Sequence, residues 1–284
     1  MKYYLPTFII LVCIATATEM AAKTFDPDVS HWIEIERPQD SSSPEGGVFY
    51  YASIYSDLEW YVKVTDGRIL ASLKNEMTLE KPGFTPKAKR FKGGEHFQKV
   101  DDGWLVAFNQ GEFGAELWWF SRNGTSSYKI SNDQINQFIV SDGNIYAIEG
   151  LAHMGMSRGS FIKIIKQGGQ WISLKQIAFD ESPEAIMQGK NEFLFIVLTD
   201  SMIRLDKGLN VTKIVKNSSW GGLYPHSIAS NDPKFVYIGM RQFVVQINLN
   251  DGKTKYLIPE MKFLNKLSPE VEKRVRQQYA PRSN

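Results

Sequence analysis

Four polar residues at equivalent points of this sequence could carry out acid–base chemistry. Glu95, Asn136, Glu184 and His226 each stand two positions before an apolar residue in a short strand-like stretch. An imidazole can act as a general base, and two carboxylates can act as acid and base when they lie about 5–10 Å apart. If Glu95, Glu184 and His226 converge, with Arg241 beside them, they could form the site of a hydrolase or a lyase. If they do not converge, they are solvated polar residues.

A second set of residues is expected to contact a ligand or a protein partner. The stretch EGLAHMGMSRGS, residues 149–160, is interpreted as a loop between apolar strands, and it carries one histidine and two methionines. An exposed tryptophan in the Trp-Trp pair at 118–119 could anchor a protein partner. The residues assigned to ligand or partner binding are His153, Tyr224, His226, Arg241, Asn136 and Trp119.

The composition argues against several kinds of site. No metal is expected, because the four histidines lie far apart in the sequence and Cys13 is the one cysteine. No cofactor is expected, because the chain has no Gly-rich phosphate loop, no HExxH and no G-x-S-x-G pattern. The 33 basic and 31 acidic side chains leave a net charge of +2, which gives no field that would attract a nucleic acid.

A repeat of just over 40 residues must position these candidates. Its four segments begin at Gly94, Ile135, Pro183 and Pro225. Each has a short apolar strand, a polar turn, a strongly apolar strand, a loop and a third strand, and then a Gly/Asn/Asp turn into a fourth strand. Four short antiparallel strands at this spacing are typical of a β-propeller blade.

The sequence before and after these segments completes the predicted fold. The stretches SHWIEIER, GVFYYASIY, LEWYVKVTDG and RILASLK are interpreted as the four strands of a more divergent first blade. The prediction is an all-β protein, a β-propeller of about five four-stranded blades over residues 23–260, with six blades or a β-sandwich as alternatives. In the tail, residues 261–284, Ser268 as N-cap and Pro269 after it predict a short helix.

The segment YPHSIASNDPKFVYIGMRQFVVQINL resembles the repeat unit of bacterial exported β-propeller proteins of the NHL-like and YVTN-like kind. The resemblance extends over about residues 90–259 and implies an architecture, not a function. It implies that the first strand of each blade lines a central channel. It also implies that the loop between the second and third strands opens on the same face as the connection into the first strand. The candidate residues would then gather at one channel mouth.

The N-terminal segment predicts export. Lys2 is followed by the apolar stretch LPTFIILVCIATAT; Ala15 and Ala17 form a cleavage-site pattern, and a cut near Ala22 is also possible. Residues 1–22 are therefore interpreted as a signal peptide, and the protein as a bacterial periplasmic or secreted one with no membrane span after cleavage. The mature chain would contain no cysteine and hence no disulfide.

Three functions fit this sequence. The favoured one is an exported, non-catalytic binding propeller that presents its channel mouth to a protein or a small ligand, because no complete catalytic constellation is recognisable. The first alternative is the propeller hydrolase or lyase described above. The second is a structural or assembly factor of the cell envelope that docks through its C-terminal helix. The sequence does not identify the partner.

Overall fold

The computed structural model describes residues 26–36, 44–73, 80–93, 96–189, 192–218 and 220–264, with Pro269, Glu270, Lys273, Arg276 and Gln277 of the tail. The predicted signal peptide and Glu95 lie outside the described residues. The five described tail residues are helical, as predicted for that segment. Among the helices of the described residues, none has the length and apolarity needed to cross a membrane.

The N-terminal unit differs from its prediction. A helix, α1 (Pro44–Ile54), replaces the strand predicted at GVFYYASIY, and β1 (Ile33–Ile35) pairs with the last strand of the chain. Among the described residues of this unit, β2 (Trp60–Thr65) and β3 (Arg68–Leu73) pair with each other in a two-stranded sheet, where four strands were predicted.

Helix α1 forms because its buried positions follow a helical period. Ala52 and Ser53 are buried, and Phe49 and Ile54 pack against a core cluster. The rings of Tyr51 and Tyr55, four residues apart, stack at 5.9 Å. The aromatic composition that suggested a strand is overridden by this packing.

Four sheets of sequential antiparallel strands follow and confirm that the fold is mostly β. Their strands are β4 (His96–Val100), β5 (Gly103–Asn109), β6 (Ala115–Ser121) and β7 (Ser127–Ser131); β8 (Ile135–Ser141), β9 (Asn144–His153), β10 (Met156–Gln167) and β11 (Gln170–Phe179); β12 (Pro183–Gln188), β13 (Leu194–Leu198), β14 (Met202–Leu205) and β15 (Val211–Val215); and β16 (Ser227–Ala229), β17 (Phe235–Gly239), β18 (Val244–Asn248) and β19 (Thr254–Ile258). The first three sheets have four strands each, and β1 is added outside β19 as a fifth strand of the last sheet.

The sheets stand side by side in chain order. Strand β4 contacts β8, β8 contacts β12, β12 contacts β16, and β16 contacts β2. Neighbouring units therefore meet through their first strands, which is a blade-like arrangement. A buried cluster that includes Val197, Trp220, Val236 and Phe243 fills the space between the last two sheets.

The segment at 149–160 is a hairpin and not the loop that was predicted. Strands β9 and β10 stay paired as far as His153 and Met156, so the connection is Met154-Gly155 alone. Both turn residues have positive φ, +47° and +81°, which is the geometry of a two-residue turn that matches strand twist. The hairpin tip is solvent-exposed, and Met154 is 88% exposed.

The base of this hairpin packs tightly on the next sheet. Gly150 and Gly159 pair directly, and both face Pro183 at the start of β12. A Cβ atom at Gly159 would overlap the Cδ atom of Pro183 and the carbonyl oxygen of Glu149. These two glycines therefore set the separation between the second and third sheets.

Replacing Gly159 with alanine is expected to lower the free energy of unfolding by about 1–3 kcal/mol, because the added methyl group forces the hairpin away from Pro183. Urea denaturation followed by circular dichroism measures the change. Gly83→Ala is the matched control, since a Cβ there meets no atom within 4 Å. An equal effect of both substitutions would contradict the close packing at Gly159.

Candidate functional site

A cavity of about 480 Å³ lies beneath the β9–β10 hairpin. Its wall comes from three successive sheets and from the connection into β16. Four residues predicted for the site line it, namely Asn136, His153, Glu184 and Tyr224. Further polar residues in the wall are Asn109, Gln134, Ser157, Ser182, Thr199 and Asp200.

Two β-bulges direct side chains into this cavity. The pairing of β8 with β9 shifts between Ile135 and Gln137, which leaves Asn136 as the extra residue. The pairing of β12 with β13 shifts in the same way and leaves Glu184 as the extra residue. A bulge breaks the alternation of side chains along a strand, so neither residue follows the simple two-residue period from its apolar neighbour.

Asn136 connects the elements of the wall. Its Nδ2 donates to the carbonyl oxygen of Pro183 at 2.7 Å and lies 3.4 Å from that of Gly150. Its Oδ1 accepts from Nδ2 of Asn109 at 2.9 Å. One amide thus holds the first three sheets together at the cavity, because its partners belong to each of them.

Glu184 is the carboxylate with the most perturbed environment in the cavity. Burial raises the pKa of Glu184 to about 7, against the opposing effect of hydrogen bonds from Ser182 and Thr199. The Thr199 hydroxyl is 3.5 Å from Oε1 of Glu184. Near neutral pH this group therefore exists in both protonation states, so it can accept or donate a proton.

His153 closes one side of the cavity mouth. Its Nε2 lies 2.8 Å from Oε2 of Glu112, in the 3-10 turn Gly111–Phe113 that precedes β6. This contact joins the hairpin tip to the neighbouring sheet. Phe113, at the end of the same turn, is 71% exposed.

Tyr224 forms the opposite side of the cavity mouth, and Arg241 contacts it. Tyr224 follows the 3-10 turn Gly221–Leu223 with φ of +50°, and the guanidinium of Arg241 lies 4.2 Å from the centre of its ring. Arg241 also donates to the carbonyl oxygen of Ile54 at 3.0 Å and pairs with Glu59 at 3.4 Å. Arg241 therefore supports Tyr224 and ties it to α1, and it is not part of the cavity wall itself.

His226 and Trp119 are not among the residues that line the cavity. The ring of His226 stacks on Tyr61 of β2 at 4.3 Å. Trp119 stacks on Tyr128 at 5.2 Å, and its indole N–H donates to Asp102 at 3.1 Å. The structure therefore brings together Asn136, His153, Glu184 and Tyr224 in the wall of one cavity.

The carboxylate of Asp102 links two sheets. It accepts hydrogen bonds from the indole groups of Trp119 and Trp171 and from Lys166. Burial alone would raise the pKa of Asp102, but these hydrogen bonds outweigh burial and lower the pKa to about 2. The indole N–H of Trp119 is therefore hydrogen-bonded within the protein, and Trp119 contributes to the packing between the two sheets.

Sequence reasoning missed Thr199 and Asp200. These residues form the connection between β13 and β14, and Thr199 contacts both Ser157 and Glu184. Arg241 occupies the corresponding connection of the last sheet. Reading the same connection in every repeat would have found them. Within the described residues there is no group of three or more His, Cys, Asp or Glu side chains arranged to hold a metal ion.

No protein-family model matches the chain, and no curated protein has significant sequence similarity to it. Among solved structures, a streptogramin B lyase is 18% identical with a TM-score of 0.39, and the match covers 58% of this chain and 54% of that chain. The chain thus spans about half the length of that lyase.

Two further solved structures show the same level of similarity. Virginiamycin B lyase from Staphylococcus aureus is 14% identical over 73% of this chain and 72% of that chain, with a TM-score of 0.43. PorZ, a surface component of the type-IX secretion system of Porphyromonas gingivalis, is 8% identical over 68% of this chain and 30% of that chain, with a TM-score of 0.41. These neighbours are bacterial β-propeller proteins, and the similarity concerns the fold alone.

Proposed function

We propose that this chain is an exported, propeller-type binding protein that takes a small polar ligand into the cavity beneath the β9–β10 hairpin. The observation that carries the proposal is the convergence of polar side chains from three sheets on one cavity of about 480 Å³. Ligand sites have this size and are lined by a few convergent polar groups. In this proposal the successive sheets are blades of a propeller of about five blades, and residues 1–22 direct export.

Binding is favoured over catalysis by the surroundings of Glu184. Its described hydrogen bond comes from the Thr199 hydroxyl, and the imidazole of His226, the expected general base of the enzymatic alternative, stacks on Tyr61 at 4.3 Å. The side chains of Asn136 and Asn109 are held by hydrogen bonds. A wall that is fixed before the ligand arrives lowers the entropic cost of binding.

The proposal is tested by fragment binding to protein labelled with 13C at its methionine methyl groups. Met154 and Met156 line the cavity, so their signals report on its occupancy, and the single substitutions Met154→Leu and Met156→Leu assign them. A library of positive, neutral and negative fragments is expected to contain members that shift these two signals. The shifts should disappear in Ala152→Trp, which fills the mouth from an exposed position in its wall.

Arg158→Trp is the matched control, because Arg158 is an exposed residue of the same hairpin outside the cavity wall. It should bind the fragments as the unmodified protein does. The proposal fails if no fragment shifts the two methionine signals, or if the shifts persist unchanged in Ala152→Trp.

A further inference from the structure

The charged groups of the cavity wall are predominantly acidic. Glu184 and Asp200 contribute carboxylates, and His153 is engaged with Glu112 at the mouth. Among the described residues that line the cavity, none is a lysine or an arginine. The wall therefore supplies negative charge without an internal cation to balance it.

Other enclosed carboxylates of this chain do have a cationic partner. Glu116 pairs with Lys129 at 2.7 Å, and Glu149 lies 3.8 Å from Lys175 and also accepts a hydrogen bond from Ser160. A buried carboxylate is costly unless a positive charge or strong hydrogen bonds compensate it.

Glu184 differs from both of these residues. Its described hydrogen bond comes from the Thr199 hydroxyl and is long, at 3.5 Å. Hydroxyl groups compensate a carboxylate less than a cation does. The carboxylate therefore keeps the capacity to accept a short, charge-assisted hydrogen bond from a group that enters the cavity.

The remainder of the wall suits the apolar part of an organic ion better than a metal ion. The ring of Tyr224, on which Arg241 stacks at 4.2 Å, lines the cavity and is 55% exposed, so it offers apolar surface to a ligand. Met154 and Met156 add polarizable thioether groups at the mouth. A hydrated divalent cation would need several oxygen ligands at short distance, and a single enclosed carboxylate does not supply them.

We infer that the cavity selects small organic cations, with a protonated amine or guanidinium group placed against Glu184 and the apolar part of the ligand against Tyr224 and the two methionines. This inference rests on the proposed function, since it names the ligand class of the same cavity. Asp200, an exposed residue of the wall, adds negative potential near the mouth.

Three probes of similar shape and different charge test the inference, namely benzylamine, benzyl alcohol and benzoate. Each is titrated against the methionine-labelled protein near neutral pH, where benzylamine is protonated. We expect benzylamine to shift the Met154 and Met156 signals at the lowest concentration and benzoate at the highest. Glu184→Gln is expected to weaken benzylamine binding by about tenfold or more and to leave benzyl alcohol binding nearly unchanged.

Glu80→Gln provides the matched control, because Glu80 is an exposed carboxylate paired with Lys99 outside the cavity wall. It removes the same charge and should leave benzylamine binding unchanged. Tighter binding of benzyl alcohol or benzoate than of benzylamine would overturn the inference and leave the proposed function standing. Equal weakening by Glu80→Gln and Glu184→Gln would also overturn it, and failure of all three probes to shift the signals would count against both.

Discussion

Replacement of Trp60 with alanine is expected to lower the free energy of unfolding by about 3–5 kcal/mol. Trp60 is 1% exposed, and its ring packs edge-on against Trp32 at 5.0 Å and Phe263 at 6.1 Å. These three rings come from separate segments of the chain. Removing the central one leaves a cavity that the neighbouring rings cannot fill by small movements.

Trp60 also attaches the β2–β3 hairpin to the last sheet. Its backbone N–H donates to the carbonyl oxygen of Met240 at 3.2 Å, and its indole N–H donates to that of Gln242 at 3.1 Å. Gly239 allows this approach, because a Cβ at that position would overlap the carbonyl oxygen of Trp60. The loss of the indole group therefore removes a buried donor as well as packing.

Urea denaturation of the unmodified protein, Trp60→Ala and Trp60→Phe checks this prediction. Trp60→Phe should have an intermediate effect, since it keeps most of the ring packing and loses the indole donor. Hydrogen exchange should show faster exchange in β2 and β3 for both variants. A loss below about 1 kcal/mol for Trp60→Ala would indicate that the hairpin is not part of the cooperatively folded core.

Glu184→Gln is expected to change how stability depends on pH. The carboxyl group has an ordinary pKa of 4.5 and a folded-state pKa of about 7, because burial disfavours the charged form. The folded state therefore holds a proton that the unfolded state has released between these values. Stability contributed by this group is complete below about pH 4.5, falls as the pH rises to about 7, and is lost above that.

The difference between the two pKa values corresponds to about 3 kcal/mol. Glutamine does not titrate. The free energy of unfolding of Glu184→Gln, taken relative to that of the unmodified protein, should therefore increase by up to about 3 kcal/mol when the pH is raised from about 4 to about 8. Urea denaturation at both pH values measures this gain. Glu80→Gln should show no such gain, and a flat difference between Glu184→Gln and the unmodified protein would show that Glu184 titrates normally.

The repeats could be predicted because their turns are encoded locally. Asp142-Gly143 and Gly168-Gly169 adopt the positive φ angles of tight hairpin turns, and alternating apolar residues flank them. The N-terminal unit could not be predicted in the same way. Its strand β1 finds its partner at Tyr256–Ile258, and no local pattern specifies a pairing across that distance.

The repeats also allowed part of the candidate site to be predicted. Asn136 and Glu184, which were grouped from equivalent positions in successive repeats, line the same cavity because the repeats share a backbone path. His226 precedes β16 and stacks on a residue of β2, whereas Asn136 and Glu184 occupy bulges within their strands. A bulge depends on how two strands pair, so its place cannot be derived from one strand alone.

The addition of β1 to β19 has a consequence for biosynthesis. Lys255 and Glu34, whose side chains form an ion pair between these two strands at 2.6 Å, are 221 positions apart in the chain. A nascent polypeptide must carry Ile33–Ile35 without its partner until the ribosome has produced Ile258. The final sheet is therefore completed only after Ile258 has been translated. A truncated product that ends earlier leaves Ile33–Ile35 without its partner strand and available for pairing with another chain.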